Sequence, residues 1–206
     1  MDGTVPPVHS RAVRLGVFGG TFDPVHVGHV VAAAAARHAL SLDRVLLVVA
    51  NRPWQKEGER AISPAADRLA MVAAAVEGVE GLEPSALEIE RGGPSYTADT
   101  IAELAAVHPG ADLFVVVGAD VAAELETWAR ADALHDSVTL AVVGRAGTPP
   151  ALPGPPWRSV AVDMPHLAVS SSDLRQRAVA GRPLDGLVPP GALTELRRRG
   201  LYAKGR

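Results

Sequence analysis

Cysteine is absent from the 206 residues. Disulfides, thiolate nucleophiles and cysteine-ligated zinc are therefore excluded. Aromatic residues are only 4% of the chain, so the core is expected to be aliphatic, built from Val, Leu and Ala, and each Trp or Tyr draws attention. Basic charge is not in excess either. The formal net charge is -3, which disfavours a nucleic-acid-binding surface. The opening stretch MDGTVPPVHSR is polar and carries two prolines. It has neither the apolar run of a signal peptide nor that of a membrane anchor. Residues 1–11 are expected to form a loose tail, and residues 12–206 a single domain. A cytoplasmic location with no membrane partner follows by default.

What the chain does have is 48% hydrophobic residues in alternating patterns. Nearly continuous Val/Leu runs at 12–18, 44–50, 112–118, 137–143 and 159–164 read as strands buried on both faces. Helical patterns lie between and after them, at 29–40, 63–78, 96–108, around 122–129, and at 171–181 and 189–200. Ser63 suits an N-cap with Pro64 at the first helical position, and Gly181 and Gly200 suit helix C-termini. The stretch 82–90, LEPSALEIE, reads as an irregular strand. The Pro/Gly-rich 144–157 reads as a loop. Such alternation predicts an α/β fold, a doubly wound, mostly parallel sheet with small C-terminal helices. In that architecture ligands bind outside the carboxyl ends of the strands, at the switch point of the topology.

The unusual residues stand just there. GVFGGTFDPVHVGHVVAA reads as strand, glycine turn and helix. Gly19 and Gly20 allow backbone amides close to an anion, and a helix starting near Val27 offers it the positive end of its dipole. His26 and His29, three apart, share one helix face at that mouth, with Gly28 between them. Neither the Gly-Lys-Ser/Thr of a P-loop nor Gly-x-Gly-x-x-Gly is present. A third ligand for a metal is not evident nearby, so no protein-held metal is expected.

The string GGTFDPVHVGH (19–29) resembles the GGxFDPxHxGH signature of the adenylyl-transferring nucleotidyltransferases. RPWQKEG (52–58), RGGPSYTADT (91–100), VVGAD (116–120) with Trp128, and VSSSDLRQR (169–177) are similar to further segments of the nicotinate-nucleotide adenylyltransferases. The matching segments run in order along nearly the whole chain. The resemblance implies a Rossmann-like nucleotidyltransferase fold and transfer of the adenylyl group of ATP to nicotinate mononucleotide, giving deamido-NAD. It implies His26, His29, Lys56 and Arg175 as catalytic residues. It assigns Gly19, Gly20, Thr21, Phe22, Gly118, Asp120, Ser171 and Ser172 to ATP, and Tyr96, Thr97 and Trp128 to the mononucleotide. Mg²⁺ is expected to arrive on the ATP phosphates.

The residues also carry their own chemistry. Ser170 or Ser171 can cap a helix whose amides face phosphate, with Arg175 one turn on. PSYTADT opens a helix whose unpaired amides suit a carboxylate, or it is capped by Ser95 or Thr97. Trp128 offers a flat face to a pyridine ring. Asp120 either accepts from a ribose hydroxyl or caps a helix. Trp54 lies in the lysine loop as lid or anchor. Three readings stay open beside the first: a related adenylyltransferase for nicotinamide mononucleotide or for phosphopantetheine, or a non-catalytic nucleotide sensor. A homodimer is compatible with all of them.

Overall fold

The computed structural model describes residues 11–53, 61–145 and 149–202. Along them run β1 (Arg14–Gly20), α1 (Val27–Ala39), β2 (Arg44–Val49), α2 (Ala65–Val76), β3 (Leu82–Ser85), α3 (Leu87–Arg91) and α4 (Thr97–Val107). Then come β4 (Asp112–Gly118), α5 (Ala119–Ala122), a 3₁₀ turn (Leu125–Thr127), α6 (Asp132–His135), β5 (Thr139–Arg145), β6 (Ser159–Met164), α7 (Ser171–Val179) and α8 (Pro190–Arg198). The six strands form one sheet in the order β3-β2-β1-β4-β5-β6. Every neighbouring pair is parallel. The order runs outward in one direction from β1 and in the other from β4, so the crevice between their carboxyl ends is the switch point.

The period-2 geometry of a strand sorts the side chains into two cores. Val45, Leu47 and Val49 of β2, with Phe114 and Val116 of β4, pack with helices α1, α2 and α8. Leu46, Val48, Leu113, Val115 and Val117 point the other way and pack with α4 and with the segment that leads to α6. Both faces are covered, which is why the strands read as continuous apolar runs. Phe22, Phe114 and Trp157 are the buried aromatics in an otherwise aliphatic core.

Two sequence expectations need correction. The stretch 82–90 is not one strand. β3 ends at Ser85 and α3 begins at Leu87, so Pro84 sits on a short edge strand that needs no amide donor there. Pro64, not Ser63, precedes the first turn of α2, with φ -49° and ψ 140°. The carbonyl of Ser63 is used elsewhere, as described below. Gly181 and Gly200 take left-handed φ values of 68° and 60° just after α7 and α8, as expected. Of the expected tail, Arg11 is described and pairs with Asp43, while residues 1–10 lie outside the described residues. Among those described, no helix is long and apolar enough to cross a membrane.

Helix α8 lies close against α2. A β-carbon on Gly191 would stand 2.4 Å from the carbonyl oxygen of Ala74. Backbone cannot yield there as a flexible side chain would. Gly191→Ala is expected to lower unfolding stability by ~1–3 kcal/mol, read as a reduced urea midpoint with an unchanged slope.

Candidate active site

The turn from Gly20 to His26 leaves the carboxyl end of β1 and enters α1. Gly19 has open space where a β-carbon would be. At Gly20 a β-carbon would lie 2.8 Å from the Phe22 ring, so Gly20 lets that ring fold back under the strand. Phe22 takes φ 50° and is only 2% exposed. Its side chain belongs to the core rather than to a ligand surface. It meets the His29 ring edge-on with centroids 5.0 Å apart.

The two imidazoles stack, with centroids 3.7 Å apart and planes at 22°. His29 Nδ1 accepts from the His26 amide at 3.1 Å. That bond places the proton of the neutral ring on Nε2, where it acts as a donor. His26 is 8% exposed, and its Nδ1 makes no hydrogen bond. Burial pushes its pKa down to about 4, so the ring is neutral at pH 7. Gly28 is explained by the same packing. A β-carbon there would sit 3.0 Å from His26 Nδ1 and 3.1 Å from Val169 Cγ1. The space beside Gly28 is thus taken by the ring of His26 and by Val169. The amide of Val27, at the start of α1, is also engaged, donating to the carbonyl of Leu187 at 3.0 Å.

Helix α7 brings up the second half of this corner. Ser170 caps it, accepting from the Asp173 amide at 3.1 Å. Ser171 Oγ donates to the carbonyl of Pro24 at 2.8 Å. Arg175 donates to the carbonyl of Asp23 at 2.6 Å and to Ser172 Oγ at 2.9 Å. Serines and arginine therefore lock α7 onto the signature turn. Lys56 and Trp54 lie outside the described residues.

A cleft of about 270 Å³ opens at the switch point, at the small end of the range for small-molecule sites. Its wall includes Gly19, Gly20 and Thr21 of the glycine turn, Gly118 at the end of β4, and Tyr96, Thr97 and Trp128. His26, His29, Ser171, Ser172, Arg175 and Asp120 are not in its wall. The histidines adjoin it through Phe18, a lining residue whose ring is 5.9 Å from that of His29. Asp120 is exposed at the start of α5. Its Oδ1 lies 2.6 Å from the place a β-carbon of Gly118 would take, so Gly118 makes room for that carboxylate. Asp120 does not cap the helix.

The start of α4 enters the cleft wall through Tyr96 and Thr97. Tyr96 is the preceding extended residue, and no side chain caps the helix. Ser95 Oγ instead accepts from the Asn51 amide at 2.8 Å, and the Ser95 amide donates to the carbonyl of Arg52 at 3.0 Å. These bonds fasten the start of α4 to the end of β2. The capping alternative for Ser95 and Thr97 is therefore not realised, and the helix start keeps its positive potential. Arg130 packs over the Tyr96 ring at 5.5 Å and pairs with Asp99 at 2.7 Å.

Sequence reasoning missed two buried charges. Arg68 is 1% exposed and donates to the carbonyls of Ser63, Thr21 and Asn51 at 2.8, 2.8 and 3.2 Å. In the sequence it looks like one more charged helix residue. Glu88 lines the cleft and accepts from Thr100 Oγ1 at 2.6 Å, while Arg91 donates to the same hydroxyl at 3.2 Å. The i, i+3 spacing of Glu88 and Arg91 was the available signal, hidden because the segment was read as a strand, where such positions face opposite sides.

The neutral state of His26 makes the fold sensitive to acid. Its pKa is held near 4 in the fold against the ordinary value of 6.5. The unfolded chain therefore takes up a proton first as pH falls, and the fold loses stability between pH 6.5 and about 4. For a shift of this size the loss is at most ~3 kcal/mol. The ligand-free protein should show a denaturant midpoint that drops through this window, and His26→Gln should flatten that part of the profile.

Comparison with known proteins places this geometry in context. Residues 17–177 match the family model described as cytidylyltransferase-like. A protein of Saccharopolyspora erythraea, described as a probable nicotinate-nucleotide adenylyltransferase, is 41% identical over 194 residues, 94% of this chain and 91% of that one. A protein of Thermus thermophilus with the same description is 39% identical over 190 residues, 92% of this chain and 100% of its own. The fold is similar to that of the nicotinic acid mononucleotide adenylyltransferase of Plasmodium falciparum solved with NaAD. The TM-score is 0.76 at 14% identity, covering 92% of this chain and 97% of that one.

Proposed function

The chain belongs to the cytidylyltransferase-like family and, within it, to the nicotinate-nucleotide adenylyltransferases; from that premise we propose which of its residues carry the reaction. The enzyme transfers the adenylyl group of ATP to nicotinate mononucleotide, giving deamido-NAD and pyrophosphate in NAD biosynthesis. A phosphate oxygen of the mononucleotide attacks the α-phosphorus of ATP. The bond from that phosphorus to the bridging oxygen breaks, and pyrophosphate leaves with the electron pair. The nucleophile is already largely ionised at pH 7, its second pKa being about 6. No general base is required, and what remains is alignment and charge stabilisation.

One observation carries the assignment of the parts. A single cleft at the switch point runs from the glycine turn to the uncapped start of α4 beside Trp128. The ATP phosphates belong at the glycine-turn end, over Gly19, Gly20 and Thr21, with His29 Nε2 donating to the oxygens of the reacting phosphorus. The neutral His26 stacks behind His29 and fixes its plane. The amides that open α7 near Ser171 and Ser172, with Arg175, add positive potential. Lys56 is the cation assigned to the leaving phosphates. Gly118 and Asp120 take the ribose of the adenosine. At the other end the nicotinate carboxylate meets the amides of Thr97 and its neighbour, with Tyr96 and Trp128 enclosing the pyridine ring. An uncapped helix start stabilises a carboxylate more than a neutral carboxamide, which favours the acid mononucleotide over the amide.

The divalent metal that accompanies ATP is assigned as Mg²⁺ carried on its phosphates, which needs only one or two protein carboxylates, if any. Among the described residues no three His, Cys, Asp or Glu side chains are grouped as they would be to hold a metal ion.

Pyrophosphate release from ATP, measured side by side with nicotinate and nicotinamide mononucleotide, tests the substrate. Turnover on the acid should exceed that on the amide at least about tenfold, the factor that one lost charge-to-dipole contact of ~1.4 kcal/mol would produce. Equal rates would remove the carboxylate from the argument, and no release with either would revive the nucleotide sensor. In the same assay His29→Ala should lower kcat by roughly 10²–10³, the scale of losing one donor to a developing oxyanion.

A further inference from the structure

The signature turn contains an aspartate that the proposed reaction does not use. Asp23 is 1% exposed, is absent from the cleft wall, and sits within a turn assigned to phosphates. A carboxylate facing those phosphates would oppose their binding, and a buried one is costly without donors. The structure answers both problems at one atom: the Tyr202 hydroxyl, 179 residues away in sequence, donates to Asp23 Oδ1 at 2.5 Å. Tyr202 packs against the same core cluster as Phe22. The carboxylate is thereby held on the core side of the turn.

We propose that Tyr202 is a positioning residue for the phosphate turn, acting through the carboxylate of Asp23. The inference rests on the reading that this turn holds the ATP phosphates. Four side chains grip the turn from behind. Arg68 holds the carbonyl of Thr21, Arg175 that of Asp23 and Ser171 that of Pro24, and Tyr202 holds the Asp23 carboxylate. In a trans peptide the carbonyl and the following amide point opposite ways. The bound carbonyls of Thr21 and Pro24 therefore direct the amides of Phe22 and Val25 away from Arg68 and Ser171, while the Asp23–Pro24 peptide has no amide to direct. The grip also sustains Phe22 at φ 50°, a conformation that costs a non-glycine residue energy and persists only where its surroundings over-determine it.

Tyr202 is not an isolated prop. Ser63 Oγ donates to its hydroxyl oxygen at 3.4 Å, and the carbonyl of the same Ser63 accepts from Arg68 Nε at 2.8 Å. Arg68, Ser63, Tyr202 and Asp23 thus form one connected chain from α2 to the turn. Burial and the adjacent carboxylate push the phenol's pKa up, which keeps it protonated and donating.

Tyr202→Phe removes the hydroxyl and keeps the ring. In the full chain it should lower kcat/KM for ATP about tenfold, within the range expected when reacting groups are misplaced by a fraction of an ångström. KM for nicotinate mononucleotide should stay within about twofold of wild type, since the far end of the cleft is untouched. Affinity for a non-reacting α,β-methylene ATP, measured by calorimetry, should weaken in parallel. Asp23→Asn should give a similar loss, and the double variant should lose no more than the worse single one. Wild-type ATP kinetics in Tyr202→Phe would overturn the proposal. So would a variant whose only change is a lower Tm, or losses that multiply in the double variant. A wild-type protein that binds the analogue but releases no pyrophosphate would sink the catalytic reading alone, since analogue affinity still reports on the turn.

Discussion

The corner where β1 passes into α1 depends on a turn held by side chains from elsewhere in the chain. Between Gly20 and His26 the chain must leave a buried strand, fold an aromatic ring under itself and enter a helix. It does so while its carbonyls and its one carboxylate are bound by side chains from α2, from α7 and from the turn after α8. Arg68 is the deepest of these contacts, a cation 1% exposed whose partners include three backbone oxygens. A guanidinium suits this place because its planar fork donates in several fixed directions at once. By holding Thr21 and Asn51 together it also ties the turn after β1 to the end of β2.

The glycines of the signature have unlike tasks. Gly19 leaves space open, Gly20 accommodates Phe22, and Gly28 accommodates the ring of His26. Two phenyl rings and two imidazoles share this one corner, which explains why a chain so poor in aromatics spends Phe18 and Phe22 here. The histidines need a wall that fixes their planes without offering competing hydrogen bonds. His26, neutral and buried, is itself part of that wall. His29 commits its Nδ1 to the His26 amide, which leaves the proton of its neutral ring on Nε2.

The start of α4 is left without a side-chain cap, although serine and threonine stand beside it. Ser95 is drawn away to Asn51 and Thr100 to Glu88. A helix whose own hydroxyls are kept from its first amides is prepared for an external anion. Proteins of the family to which this chain belongs carry the name of an acid mononucleotide, and the geometry supplies a physical reason for preferring one.

The sequence alone determined the architecture. Continuous Val/Leu strands alternating with helices leave little but a parallel doubly wound sheet, and the glycine turn falls at the carboxyl end of the first strand, beside the switch point. Period and composition are local properties, so β4 and β6 are found at the residues expected, and α1 begins at Val27. Local reasoning failed where two residues far apart had to meet. Arg68 and Tyr202 look like surface residues of a helix and a terminal turn until folding brings them under the signature, and Glu88 joins Arg91 only once its segment is helical. That Ser95, Ser171 and Arg175 bond backbone groups of distant segments was likewise visible only in the tertiary structure. A hydrogen bond depends on distance and angle between partners, and no single segment of sequence contains both.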